Sequence, residues 1–243
     1  MSARFLMDQL TVSVSDRERR FNLSVPELSL QSGDVIGLSG PSGSGKTMML
    51  EVLGLLRRPT KCGAFRIDTE PSPIDLTRIW TRGDISPAQI RADLFGFVPQ
   101  SGGLLPFMTV ADNIALSQRI SEREDADWVT ELTERLRLSD VTGLHPGALS
   151  IGQRQRVAIA RALAHRPAFV IADEPTAALD PGAAETAMGL MIEVAKSGGA
   201  AVIISSHDLT LLDRFAMTRL GLAVSSDNSG EVESRLGALE LTA

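Results

Sequence analysis

Eight consecutive residues, Gly40, Pro41, Ser42, Gly43, Ser44, Gly45, Lys46 and Thr47, fit the pattern G-x-x-x-x-G-K-[ST] with no substitution at a fixed position. Glycines at these positions let backbone N–H groups turn inward and form a concave nest for phosphate oxygens. Lys46 then reaches the outer phosphates as a point charge, and the Thr47 hydroxyl is placed to ligate Mg²⁺. The flanks suit the motif. Residues 34–39 (DVIGLS) read as a buried strand leading in, and 47–56 as a helix leading out, whose positive end faces an anion. Alone, the loop implies phosphate binding and says nothing about what the phosphates are used for.

Three further apolar runs end in polar residues: 94–98 before Gln100, 169–172 before Asp173 and Glu174, and 200–204 before His207. In an open parallel sheet, ligands bind beyond the carboxyl ends of the strands, so these residues converge on the phosphates from distant parts of the chain. A carboxylate ending a hydrophobic strand suits Mg²⁺ beside a phosphate loop, which makes Asp173 the metal residue. Glu174 is then placed to orient or deprotonate a water. Each residue has a plainer reading by itself: a structural histidine, a helix-capping Asp-Glu pair, a loop glutamine. Their joint occurrence with the phosphate loop favours hydrolysis.

The positioning elements follow from periodicity. Residues 4–30 alternate apolar and polar side chains, the period of half-buried strands, with 15–20 as a hairpin connection. Ala64–Ile67 is a short strand. Asp68–Ala92 carries three prolines and little periodicity, which predicts a surface excursion with at most one short helix. From Thr109 the apolar spacing turns helical; Gly152–Ala164 and Glu185–Lys196 are further helices, and the polar stretch beyond Leu222 forms one last strand or helix. Within 243 residues, 43% hydrophobic, no run of 18 apolar residues marks a membrane span, and the N-terminus lacks the apolar core of a signal peptide. The single cysteine, Cys62, excludes an internal disulfide framework and suits a reducing cytosol. A net charge of −6 argues against nucleic acid as the main partner, and the local cluster Arg17, Arg19 and Arg20 reads as a solvated face.

From about Leu10 to Leu220 the chain resembles the nucleotide-binding subunit of an ATP-binding cassette (ABC) transporter. The resemblance is carried by the phosphate loop, Val98-Pro99-Gln100, the signature Leu149-Ser150-Ile151-Gly152-Gln153 with the arginine-rich helix that follows, Asp173-Glu174-Pro175, Ala178-Leu179-Asp180 and Ser206-His207-Asp208. It implies an α/β fold: a P-loop NTPase core with a mainly parallel sheet, an N-terminal antiparallel β subdomain and an inserted α-helical subdomain. Residues 1–243 would form one ATPase domain, with 1–98 and 165–243 making the β subdomain and core and 99–164 the helical subdomain. It also implies that ATP and Mg²⁺ are bound by Gly40 to Thr47 with Gln100 and Asp173, that Lys46, Gln100, Glu174 and His207 are catalytic, and that Asp180 links two sites. Ser150, Gly152 and Gln153 would cover the γ-phosphate from a second copy of the chain or a homologous ATPase subunit. The helix-opening amides of the signature are suited to an anion.

The sequence departs from the family pattern in three places. Ile151 stands where glycine is usual, a variant that, with residues 104–113, resembles the lipoprotein-release and macrolide-export branch. The N-terminal strands lack the usual aromatic for adenine; the chain has no Tyr, and Phe21 is the nearest alternative, so base stacking is expected to be weak or supplied by an arginine. Residues 68–92 run longer than usual. The implied function is an ATPase subunit on the inner face of the cell membrane, driving permease subunits on separate chains, with Leu104–Met108 as the docking segment. A soluble non-transport ABC ATPase acting on nucleic acid or the ribosome is the alternative. Such proteins carry coiled-coil, zinc-binding or tandem-cassette additions, and none is visible here.

Overall fold

The computed structural model describes residues 3–15, 20–81, 86–226 and 231–238. Strands β1 (Arg4–Ser15) and β2 (Arg20–Gln31) pair antiparallel, as their alternation requires. The alternation changes phase midway. Phe5 and Met7 are buried before Gln9, and Leu10 and Val12 after it; on β2, Leu23 and Val25 switch to Leu28 and Leu30. The phase change falls between the pairs Asp8–Glu27 and Leu10–Val25, where Gln9 takes a φ of 47°. Most of the connection expected over 15–20 lies outside the described residues.

Strand β3 (Val35–Ser39) sits inside a parallel set with β6 (Phe95–Val98), β7 (Phe169–Asp173) and β8 (Ala201–Ser205). Their apolar runs are continuous because both faces are covered. Phe169 and Ile171 enter one core with the helix α1 (Lys46–Leu53) and the N-terminal strands, while Val170 and Ala172 enter the other with α5 (Ile151–Leu163) and α6 (Pro181–Ser197). In the first core, Phe5 meets the rings of Phe65, Phe95 and Phe169 edge-on at 5.7, 6.1 and 5.7 Å. The second also receives α3 (Val110–Ser121) and α4 (Ala126–Arg135), which follow β6 in the chain. α5 approaches β6 so closely that a Cβ on Gly96 would lie 2.1 Å from the Ala162 carbonyl oxygen.

One expectation changes and one is narrowed. Residues 68–92 are more than a surface excursion: besides the expected short helix, α2 (Pro87–Leu94), capped by Ser86 and Gln89, they form an edge strand, β5 (Ile74–Asp75), which pairs with β4 (Ala64–Asp68). Leu76 is fully buried and Trp80 stacks on Phe65 at 6.1 Å, so the segment covers the first core; residues 82–85 lie outside the description. The last part of the chain forms two strands, β9 (Thr218–Ser226) and β10 (Glu231–Ala238), after a short α7 (Leu209–Arg214). β9 runs parallel to β3, and β10 lies between β9 and β2, antiparallel to the first and parallel to the second. The described strands thereby join in one sheet, ordered β5-β4-β1-β2-β10-β9-β3-β8-β7-β6. It has a parallel core and an antiparallel N-terminal flank, as the residue patterns imply.

Candidate active site

β3 delivers the chain to the phosphate loop, and α1 leaves it. Gly45 closes the loop in the left-handed region at φ 92°, where a Cβ would also meet the Phe21 ring at 2.9 Å. Gly40 (φ 156°) leaves room for the Ser44 hydroxyl, 2.7 Å from where its Cβ would stand. Lys46 is buried, and its ammonium donates to the carbonyls of Gly40 (3.0 Å) and Pro41 (3.3 Å), which curl the loop around it. From the far side, Ser234 of β10 donates to the Ser44 carbonyl at 2.6 Å.

Beside the loop is a cavity of about 310 Å³, lined by residues 42–48 together with Phe21, Glu174 and His207. The buried Ser44 hydroxyl has no hydrogen-bond partner and sits against Gly40. The positive end of α1 and the Lys46 ammonium suit a polyanion.

Strand ends bring the acidic residues to the same place. The Thr47 hydroxyl donates to Asp173 Oδ2 at 2.9 Å, although the two are 126 residues apart, and Ser205 Oγ donates to Asp173 Oδ1 at 2.6 Å. Thr47 keeps its lone pairs for a cation. Among the described residues, no three His, Cys, Asp or Glu side chains gather as a metal cage. One carboxylate and one hydroxyl beside a phosphate nest are the donors that Mg²⁺ uses when phosphates and water complete its shell, so these residues fit that ion. Glu174 follows with φ 45°, a conformation unusual outside glycine, and its carboxylate meets His207 Nε2 at 2.8 Å. The same nitrogen lies 3.2 Å from Lys46 Nζ.

The remaining candidates lie elsewhere. Gln100 is exposed in the loop after β6 and does not line the cavity. That loop is pinned to α5: the Arg161 guanidinium donates to the carbonyls of Gly103 (2.8 Å) and Gly102 (3.1 Å). Ser150 caps α5, its hydroxyl accepting from the Gln153 amide (3.2 Å) while the Gln153 side chain accepts from the Ser150 amide (2.8 Å). The Ser150 hydroxyl proton and the amides of Ile151 and Gly152 have no partner within the helix. Ile151 is 51% exposed, and none of these residues lines the cavity of its own chain. Asp180 caps α6, accepting from the Ala183 amide at 3.0 Å. Sequence reasoning passed over Ser205, Arg161 and Ser234, since serines at strand positions and an arginine within a helix give no signal until their partners are known.

Comparison with known proteins agrees with this geometry. Residues 23–177, more than half of the chain, match the family model described as ABC transporter. The lipoprotein-releasing system ATP-binding protein LolD 1 of Rhodospirillum rubrum is 35% identical over 92% of this chain and 99% of its own. The LolD of Hyphomonas neptunium is 39% identical over 79% of this chain and 80% of its own. In structure, the chain is similar to the ATP-binding cassette MJ0796 in a dimeric post-hydrolysis state bound to ADP and phosphate, with a TM-score of 0.76 and 30% identity over 98% of this chain and 99% of that one. A phosphate loop, a strand-end Asp-Glu pair, a capped signature helix and this relatedness together place the chain in the ABC transporter family, as an ATP-hydrolysing subunit.

Proposed function

We propose that two copies of this chain close around two ATP·Mg²⁺ and that the resulting motion drives a separate membrane-embedded partner. The observation that carries this is the division of the site. Lys46, Thr47, Glu174 and His207 line one cavity, with Asp173 bonded to Thr47, while the free anion-binding groups of Ser150, Ile151 and Gly152 lie away from it. Each copy then supplies what the other lacks.

Lys46 binds the outer phosphates, and Thr47 and Asp173 would hold Mg²⁺, which would supply neutralisation of the charge developing on the phosphates. Glu174 accepts the proton of the attacking water, and His207 holds Glu174 in place. Gln100 reports the occupied state through the Arg161 clasp to α5. Ser150 donates to the γ-phosphate across the dimer, and closure excludes water from the reacting centre.

The membrane partner docks on residues 104–108. Phe107 is 76% exposed there, on a loop held rigid by the fully buried Asn113, whose side chain bonds to Leu105, Met108 and Thr109. We assign the spanning segments to the partner and this subunit to the inner membrane face; no helix among the described residues is long and apolar enough to cross a membrane. The names of the relatives point to a partner of the lipoprotein-releasing kind.

A mixing experiment tests the shared site. Lys46→Ala and Ser150→Arg chains each lack one half, and each should be inactive alone. Mixed, they form a dimer with one complete site and should regain part of the ATPase activity. No recovery from a demonstrated mixed dimer would sink the shared-site reading. Recovery of the chain with ribosomes or DNA, rather than with a membrane-spanning protein, would sink the transport reading.

A further inference from the structure

We infer, on the basis of the Mg²⁺ role proposed above, that Ser205 is a positioning residue that ties the metal carboxylate to the general base. Its hydroxyl sits at the end of β8 with no exposed surface and makes two bonds at once. It donates to Asp173 Oδ1 at 2.6 Å, the short distance of a hydroxyl facing a charged carboxylate, and it accepts from the Glu174 amide at 2.9 Å.

Both bonds bear on chemistry. Asp173 rotates about its terminal bond unless both oxygens are held. Thr47 holds Oδ2 and Ser205 holds Oδ1, so the carboxylate plane is set before a cation arrives. Glu174 occupies the left-handed region at φ 45°, a strained backbone that surrounding contacts must enforce. Its N–H is taken by the Ser205 hydroxyl and, at 3.2 Å, by the Ser205 carbonyl. One side chain therefore aims both the metal ligand and the base. Outer partners of this kind orient metal ligands, and their loss costs affinity without removing a ligand.

The test uses the full chain, Mn²⁺ as the metal probe and the β,γ-imido analogue of ATP, with free Mn²⁺ read by electron paramagnetic resonance. Ser205→Ala should weaken Mn²⁺ binding by about tenfold or more while changing analogue binding in excess chelator by less than about twofold. In the nucleotide-free chain, the Glu174 amide should exchange with solvent faster. Ser205→Thr should retain parental Mn²⁺ affinity, and Ser205→Val, which has the shape of threonine without the hydroxyl, should behave as Ser205→Ala. This pair separates hydrogen bonding from packing if the alanine variant folds poorly. Parental Mn²⁺ affinity in Ser205→Val would overturn the inference. So would equal weakening with and without metal, which would mark a packing role only. If the parent chain itself fails to bind Mn²⁺ with the analogue, the metal assignment of Thr47 and Asp173 falls, and this inference falls with it.

Discussion

His207 Nε2 stands 2.8 Å from Glu174 Oε1, and the contact holds the carboxylate beside the phosphate loop from the end of a neighbouring strand. A nitrogen that donates to Glu174 has no lone pair left for Lys46, 3.2 Å away, so the imidazole serves one neighbour at a time. Glu174→Gln keeps the shape and removes the base. Turnover should fall by roughly 10²–10⁴, with ATP binding retained and a nucleotide-bound dimer accumulating. Phosphate release and size-exclusion light scattering measure the two effects, and hydrolysis at the parental rate would remove Glu174 from the role of base.

Lys46→Ala acts earlier. The variant loses the ammonium that curls the loop through Gly40 and Pro41 and that meets the outer phosphates. Nucleotide affinity should drop roughly tenfold to a hundredfold, the value of a hydrogen bond to a charged group. Titration calorimetry with ATP reads this directly; unchanged affinity would mean that the lysine serves only the chemical step.

Among the described residues Phe21, and no arginine, lines the cavity; it contacts the position of Gly45 while its other side packs on the first core, which revises the expectation of weak or arginine-supplied stacking. Stacking on a ring reads no hydrogen-bond pattern, since every base offers a π-face. ATP and GTP should therefore compete comparably, and Phe21→Ala should weaken both by about fivefold or more. A strong preference for ATP that disappears in Phe21→Ala would contradict this expectation.

A pH effect on stability comes from His165, on the chain just after α5. Burial pushes its pKa down to about 4, partly offset by the hydrogen bond that its Nε2 makes with the Phe95 carbonyl at 3.1 Å. The unfolded chain binds a proton near pH 6.5 while the folded chain resists until pH 4, so stability is full above 6.5 and falls as pH drops through that window. The loss is about 3 kcal/mol. Urea midpoints from pH 8 to pH 4 should show the decline. His165→Gln, which keeps a donor for Phe95 without titrating, should flatten it.

The parallel core was legible because its strands are apolar on both faces, and the strand-end residues Asp173, Glu174 and His207 could be placed from that alone. Phe21 was ambiguous because an alternating strand gives no sign of which neighbour its aromatic meets. Ser205 hid for a related reason: a serine ending an apolar run looks like the end of the strand, whereas it is buried because Asp173 and the Glu174 amide consume its hydroxyl. β10 could be read as a strand or a helix because its inward positions, Val232, Ser234 and Leu236, include a serine that breaks the apolar alternation. That serine faces inward to bond the phosphate loop. In residues 68–92 the apolar positions Leu76, Ile79 and Trp80 follow no single period, since they come from turns packed on the sheet rather than from one element.

The Ser234–Ser44 bond spans 190 residues and comes from the strand that seals the two parts of the sheet together. During vectorial synthesis, the phosphate loop emerges early but lacks this brace until nearly the whole fold has left the ribosome. Pairings between distant parts of a chain are slow to form, so the loop should gain this brace late in folding. A nascent chain stalled before Glu231 should therefore show weaker ATP protection than one released past Ala238.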